Sequence, residues 1–283
     1  MSTWIKKHPV ISYYALTIFW SYGWWVWLYV IAPSGIGAGE LPPIAFLFMT
    51  LGGFGPFIAA LVISRIADGP GAIGKLFSRL LKVRANPIWF LAAFAVVPLN
   101  TWGSTALLPL FGIDPGPMDF LPKIIPGLFI GLMAGFMEEL GWRGFLQPRL
   151  QRRFSALTSA LIIGLFWGIW HGLPDFWGVG SQMGNLVIPY YLLVGPGILT
   201  LYAIFQAWIA NNTKGSLFFA LFFHASISSS AFIFSPSVQL PTVTLYHALI
   251  SFAINAIEVV IIILVFGPKL LSRKPENALT ENL

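Results

Sequence analysis

The sequence predicts an all-α, polytopic membrane protein, and three observations support that fold class. Hydrophobic residues make up 57% of the 283 residues and charged residues only 9%, with a mean hydropathy of +0.80. An average soluble domain is about 25% charged, so this composition excludes an ordinary soluble globule. Long apolar runs recur along the chain, and the basic residues cluster in alternate segments between them.

Each apolar run is long enough for a membrane-spanning helix, which needs about 20 mostly apolar residues. The separating segments are short, so we expect one transmembrane helical domain over residues 1–283. No run has the small-residue cleavage site of a signal peptide. The polar segment 268–283 is expected to be a mobile cytoplasmic tail. The eight predicted spans are roughly 10–32, 43–66, 87–111, 124–147, 158–178, 186–209, 215–234 and 243–267.

The basic residues predict the orientation of these spans. Lys and Arg are enriched in cytoplasmic loops of membrane proteins. The opposite loops carry Lys123 beside Glu40, Asp114, Asp119 and Asp175. The bias therefore predicts eight crossings with both termini in the cytoplasm. Fourteen basic residues fall on the predicted cytoplasmic side: Lys6, Lys7, Arg65, Lys75, Arg79, Lys82, Arg84, Arg149, Arg152, Arg153, Lys214, Lys269, Arg273 and Lys274.

Composition also narrows the chemistry and the partners. The chain has no cysteine, which excludes disulfides, thiolate zinc sites and a cysteine nucleophile. The net charge of +6 does not indicate nucleic acid, because the basic residues lie in short loops between apolar runs. We expect membrane lipid as the surroundings, in a bacterial or archaeal plasma membrane.

Two further segments carry local predictions. The glycine-rich segment 52–56 (GGFGP) indicates close helix packing or a kink within the second span. Residues 148–159 contain three arginines and several polar residues, which predicts a stretch lying along the membrane surface. With that stretch in place, the fifth span begins near Ala160, and His171 reaches the depth of the ionisable residues in spans four and seven.

Several ionisable residues lie inside the predicted spans. Each costs roughly 2.5–3.5 kcal/mol at the centre of a membrane helix, so each needs a partner or water. Span four carries Glu138, Glu139 and Arg143, and spans five and seven carry His171 and His224. Carboxylate and imidazole groups suit general acid–base chemistry near neutral pH. Span eight also carries Glu258, whose role the sequence leaves open.

Helix geometry separates the two adjacent glutamates. Glu139 and Arg143 are four residues apart and share one helix face, whereas Glu138 lies about a quarter-turn away. Arg143 can therefore hold Glu139 ionised, while Glu138 keeps a less neutralised carboxylate. The structural alternatives are a Glu–Arg clamp for the doublet, an interfacial position for His171 and a helix–helix hydrogen bond for His224. The presence of the glutamate doublet, the arginine and both histidines together favours a shared acid–base site over these alternatives.

The spacing of these residues resembles the CPBP intramembrane proteases. The matching segments are E-E-x-x-x-R at 138–143, F-x-x-x-x-H at 166–171, and His224 followed four residues later by a polar residue. This family includes the type II CAAX prenyl endopeptidases and bacterial relatives named Abi or bacteriocin-processing proteins. The resemblance covers about residues 136–228, and eight spans also fit the family. Ser228 stands where the family usually has Asn.

The resemblance implies an intramembrane endopeptidase with a catalytic core at about residues 124–234. It implies hydrolysis of a peptide or protein substrate, free or lipid-linked, by a glutamate-activated water, with no cofactor. A hydrogen-bond donor to the oxyanion is often worth about 2.7–4 kcal/mol. The implied roles are general base for Glu138, assistance from His171, oxyanion donors His224 and Ser228, and preorganisation by Glu139 and Arg143.

A zinc-dependent version is the first alternative, with Glu138, His171 and His224 as ligands from three helices. Two histidines, one glutamate and an open position form a known hydrolytic zinc set. The metal-free version is favoured because the glutamate–arginine arrangement works without an ion.

Two non-hydrolytic classes also fit the sequence. Ser228 in place of Asn favours an immunity or scaffold protein that keeps the site residues for stability. Buried carboxylates and histidines also build proton relays in transporters, and Pro196 breaks span six between two glycines. A single broken span lacks the paired pattern of inverted repeats, so a plain kink is the favoured interpretation of Pro196.

Overall fold

The computed structural model describes residues 2–38 and 41–273, so Glu40 and the tail segment 274–283 lie outside the described residues. The described part is helical and contains no β-strand. Two π-helical segments, Leu140–Leu146 and Leu193–Ile198, continue the rods that contain them. The α-helices are α1 (Ser2–Lys7), α2 (Pro9–Ile31), α3 (Pro43–Gly53), α4 (Gly55–Ala67), α5 (Ala72–Ser78), α6 (Ile88–Phe94), α7 (Val96–Leu107), α8 (Leu121–Glu139), α9 (Gln147–Gln151), α10 (Ala156–Trp170), α11 (Gly172–Trp177), α12 (Val187–Leu192), α13 (Leu199–Asn212), α14 (Leu217–Phe234) and α15 (Pro241–Phe266).

The described residues contain five helices long and apolar enough to cross a membrane, or seven when each of two bent pairs counts as one span. The bent pairs are α6 with α7 and α10 with α11, each bent by 44°. The first predicted span, 10–32, corresponds to α2, which is 23 residues long and rich in Trp and Tyr but is not among these five or seven. The count of eight and the orientation of the termini stay predictions.

The expected surface stretch at 148–159 is wrong in its extent. Helix α9 continues the rod of α8 as far as Gln151, and α10 begins at Ala156. The Ser155 hydroxyl caps α10 by accepting a hydrogen bond from the Thr158 backbone N–H at 3.0 Å. Ser is a favoured cap because its oxygen satisfies an N–H that the first turn leaves free. Only residues 152–155 separate the two rods.

The glycine-rich segment breaks the second predicted span, as its composition indicates. Helix α3 ends at Gly53 and α4 begins at Gly55, followed by a proline that cannot donate to the preceding turn. Donors from α2 satisfy the carbonyls near the break: Trp20 Nε1 donates to Leu51 at 2.8 Å, Ser21 Oγ to Gly52 at 2.7 Å and Trp25 Nε1 to Met49 at 3.1 Å.

Helices α8 and α14 pack closely and antiparallel along a glycine face. Gly127, Gly131 and Gly135 repeat every four residues on α8 and face α14. A Cβ placed on Gly135 would lie only 2.5 Å from the carbonyl oxygen of Leu221. Small residues at such spacing let membrane helices approach each other closely. This packing brings the end of α8, with its glutamates, against the histidine of α14.

The start of the C-terminal tail is docked rather than mobile. The carbonyls of Pro268 and Lys269 accept hydrogen bonds from the first backbone N–H groups of α10. Asn211 and Asn212 at the end of α13 donate to the carbonyls of Leu270 and Leu271. Leu271 is fully buried. The expectation of a mobile tail is therefore wrong for residues 268–272, where free helix ends and an apolar side chain find partners.

Candidate active site

The glutamate doublet lies where α8 changes into a π-helical segment. Glu138 and Glu139 are the last two residues of α8, and Leu140–Leu146 follow with π-helical hydrogen bonding. Both carboxylates and Arg143 are buried. Single π segments inside α-helices occur frequently at functional sites.

Glu138 has one carboxylate oxygen fixed and the other turned toward a histidine. Its Oε2 accepts hydrogen bonds from the indole N–H of Trp142 at 3.0 Å and of Trp167 at 2.7 Å. Its Oε1 lies 3.6 Å from Nε2 of His224. That distance is too long for a direct hydrogen bond and is one at which a water can contact both atoms. Oε1 is thus the oxygen available for proton transfer.

Glu139 holds the other side of the same histidine. Its Oε1 lies 2.6 Å from Nδ1 of His224 and 3.1 Å from Nη1 of Arg143. A carboxylate accepts at this contact, so Nδ1 of His224 carries the proton and Nε2 faces Glu138. Arg143 also lies over the ring of Trp167, 5.0 Å from its centroid. The expected four-residue spacing of Glu139 and Arg143 therefore produces a buried ion pair.

His171 occupies the break between α10 and α11, next to this cluster. Its Nδ1 lies 3.2 Å from Oδ1 of Asp175, one turn later, and its side chain is 28% exposed. The ring of Trp167 lies between the two histidines, 6.1 Å from the ring of His171 and 5.2 Å from that of His224. His171 is therefore the more accessible of the two and adjoins the buried cluster through Trp167.

Ser228 lies one turn beyond His224 on α14 and is half-buried. Its hydroxyl makes no hydrogen bond to the part of the chain that the structure describes, so it is free to donate to a bound group. Glu258 is remote from these residues in its contacts. It accepts a hydrogen bond from Nδ2 of Asn100 at 2.7 Å, within a polar group between α7 and α15 that includes Asn255.

The described residues contain no cluster of side chains that could together ligate a metal ion. Over residues 2–38 and 41–273, no three histidine or carboxylate side chains converge closely enough to hold one. Each histidine directs Nδ1 to a carboxylate, which leaves its Nε2 open. Zinc-binding histidines have the same kind of carboxylate partner, so these contacts do not decide between the metal-free site and the zinc set of Glu138, His171 and His224.

Comparison with known proteins places this geometry in a family. A family model described as type II CAAX prenyl endopeptidase Rce1-like matches residues 120–230, which contain all six candidate residues. CAAX prenyl protease 2 of Methanococcus maripaludis is 30% identical over 197 residues, covering 65% of this chain and 71% of that protein. The chain belongs to the CPBP family of CAAX proteases.

A second relative of this CAAX protease family member matches over a shorter part of both proteins. Lysostaphin resistance protein A of Staphylococcus haemolyticus is 27% identical over 114 residues, which is 39% of this chain and 28% of that protein. The apolar helices, together with the archaeal and bacterial relatives, show that the chain is a multi-pass integral membrane protein of a peptidase family.

Sequence reasoning missed the groups that orient the candidate residues in this CAAX protease homologue. Trp142 is four residues after Glu138, a spacing that could have indicated contact. Trp167 stands out in the sequence only as an aromatic residue before His171, and its donation to Glu138 depends on how α10 packs against the π segment. Asp175 was counted with the outer loops, although it pairs with His171.

Proposed function

We propose that the protein is a glutamate-type intramembrane endopeptidase that hydrolyses a peptide bond without a metal. The observation that supports this most is the arrangement of Glu138, with Oε2 held by two indoles and Oε1 facing Nε2 of His224 across 3.6 Å. A water that contacts both atoms from one side can lose a proton to Glu138 as it attacks the carbonyl carbon of the substrate.

His224 and Ser228 serve the charge that develops on the substrate. The Glu139 carboxylate and Arg143 fix the ring of His224 through Nδ1, so that Nε2 points into the site. When His224 is protonated, Nε2–H donates to the tetrahedral oxyanion, and Ser228 one turn away supplies a second donor. Collapse of the intermediate breaks the C–N bond, and the proton held by Glu138 passes to the leaving amine. His171, held by Asp175, contacts the substrate at the accessible side.

A substitution series tests the assigned base. The substrates are synthetic peptides ending in a C-a-a-X sequence, with and without a farnesyl group on the cysteine. Glu138→Gln should lower kcat about 10²–10⁴-fold, the range of general-base contributions. Glu258→Gln is the matched control, because Glu258 is also an intramembrane carboxylate but contacts Asn100 instead. Equal activity in both variants would refute the assignment, and no wild-type cleavage of any peptide would favour the scaffold class.

We propose that the lipid of a lipid-linked substrate lies in an apolar groove that shares helices α8 and α14 with the site. The groove has a volume of about 740 Å³ and runs between α7, α8 and α14; Ala225, Ser226 and Ser229 line it on α14, whereas none of the six candidate residues does. Leu128→Trp would fill the groove and should slow cleavage of the farnesylated peptide more than that of the free one. Leu264→Trp, on the exposed face of α15, should change neither rate.

Chelation separates the metal-free mechanism from the zinc alternative. Activity should survive prolonged treatment with 1,10-phenanthroline, because each proposed step uses a side chain. Loss of activity that returns on addition of Zn²⁺, together with stoichiometric zinc in elemental analysis, would establish the metalloenzyme instead.

A further inference from the structure

A basic pocket lies at the predicted cytoplasmic end of α4, separate from the buried glutamates. It has a volume of about 260 Å³ and is enclosed by α4, α5, the 3-10 turn Arg79–Leu81 and α9. Lys75, Arg79, Arg149 and Arg152 line it, together with the single acidic residue Asp68. The function proposed above makes no use of this pocket.

The pocket keeps a surplus of positive charge. Asp68 forms an ion pair with Arg149 and so neutralises one of the four cations. Lys75, Arg79 and Arg152 have no carboxylate partner among the described residues. Lys75 and Arg152 are exposed at the rim. Three uncompensated cations around one concave surface favour an anion.

Arg79 connects the pocket to the helix that carries the candidate active site. It donates hydrogen bonds to the carbonyls of Arg143 at 3.1 Å, Gly144 at 2.8 Å and Gly215 at 2.8 Å. A guanidinium has five N–H donors, so two remain for a ligand. Burial, with a smaller effect of Arg149, lowers the pKa of Arg79 to about 10, which leaves it charged at neutral pH.

We propose that this pocket binds a phosphate-type anion, and that an anionic phospholipid headgroup of the inner leaflet is the source that its position favours. Arginine pairs well with phosphate oxygens because its planar N–H groups match them. Basic clusters at the cytoplasmic surface attract anionic lipids. Because Arg79 also holds the carbonyls of Arg143 and Gly144, bound headgroup stabilises the π segment beside the glutamate doublet.

Thermal unfolding of the full chain in neutral detergent tests the proposal without relying on proteolysis. The probes are dioctanoyl phosphatidylglycerol, dioctanoyl phosphatidylcholine, and inorganic phosphate against chloride at equal ionic strength. The pocket variant is Lys75→Gln with Arg152→Gln. The control variant is Arg84→Gln with Arg153→Gln, which removes the same charge from two exposed residues outside the pocket.

Phosphatidylglycerol should raise the Tm of the wild type and of the control by at least about 2 °C, the size of shift expected for about 1 kcal/mol. Phosphatidylcholine should leave the Tm of the wild type unchanged. Phosphatidylglycerol should not raise the Tm of the pocket variant. The same pattern with inorganic phosphate would support the site with free phosphate as its source. Equal responses of the pocket and control variants, or no response of the wild type to either phosphate probe, would overturn the proposal.

Discussion

Glu138 and Glu139 are neighbours in the chain, but the fold gives their carboxylates different donors. Glu139 shares one oxygen between a guanidinium and an imidazole, and both of these groups are buried. Removing one member of such a pair would be costly, because an uncompensated buried charge is strongly destabilising. Glu138 receives only neutral indole donors on one oxygen, so the other oxygen is left for chemistry. The proposed function therefore makes Glu139 a positioning residue and Glu138 the reacting residue.

Removing one indole donor should reduce activity while leaving the fold intact. Trp167→Phe keeps an aromatic ring in place but deletes the N–H that lies 2.7 Å from Glu138. Hydrogen bonds to charged groups contribute about 1.5–3 kcal/mol, so kcat should fall about ten- to a hundredfold. Initial rates on the farnesylated peptide measure the change.

Trp208→Phe is the matched control for that substitution. The indole nitrogen of Trp208 is buried and has no hydrogen-bond partner in the described residues, so its loss should leave kcat and Tm nearly unchanged. If both tryptophan variants lost activity equally, the hydrogen bond to Glu138 would not be the cause.

Ser228 should contribute a single, modest hydrogen bond during catalysis. Ser228→Ala is expected to lower kcat up to about tenfold without raising KM, because a neutral hydrogen bond is worth up to about 1.5 kcal/mol. Ser228→Asn should retain or increase kcat, since the amide reaches further. Ser104→Ala is the control, because that hydroxyl donates to the Asn100 carbonyl at 2.7 Å and lies outside both the groove and the site. An unchanged rate in Ser228→Ala would remove this residue from the site.

At the scale of helices, the site depends on two departures from regular α-helix and on one close contact. The π segment after Glu139 and the break at His171 turn side chains toward the space between α8, α10 and α14. The glycine face of α8 sets how near α14 can come. Helix packing of this kind in a membrane relies on van der Waals contact and hydrogen bonds.

A methyl group on the glycine face should loosen the bundle. Gly135→Ala places a Cβ about 2.5 Å from the Leu221 carbonyl oxygen, so the two backbones must move apart. Overpacking of this type costs about 1–3 kcal/mol, and Tm in detergent should fall by several degrees. Gly103→Ala on α7 is the control, because its Cβ would meet nothing within 4 Å. A higher Tm for Gly135→Ala than for Gly103→Ala would contradict the packing argument.

Local spacing predicted the Glu139–Arg143 pair and the break at 52–56, because both depend on residues within one or two turns. The limits of the spans were placed within a few residues wherever a polar or proline residue ends the run. The indole donors to Glu138 could not be predicted, because they depend on how separate helices rotate against one another. The surface stretch at 148–159 was predicted too long. A short turn and a helix lying along the membrane surface can both be rich in arginine, so composition alone does not distinguish them.

For the whole molecule, charge and hydropathy address different questions. Hydropathy identifies rods that cross the membrane, and the described residues contain five such rods or seven with the bent pairs. The distribution of basic residues predicts which loops lie on which side, and it predicts that the loops after α4 and after α9 are cytoplasmic. In this predicted orientation the glutamate doublet lies in the cytoplasmic half of the rod Leu121–Gln151. A substrate segment would therefore enter from the cytoplasm or from the inner leaflet.

Cysteine labelling can test this orientation directly, because the chain has no native cysteine. Phe154→Cys and Met118→Cys each introduce one thiol at an exposed position, the former between α9 and α10 and the latter before α8. A membrane-impermeant maleimide should label Met118→Cys in intact cells and Phe154→Cys only in inverted vesicles. This follows because the three arginines beside Phe154 keep that turn on the cytoplasmic side. The opposite labelling pattern would reverse the topology, and it would also move the basic pocket to the outer leaflet, where phosphatidylglycerol in the inner leaflet could not reach it.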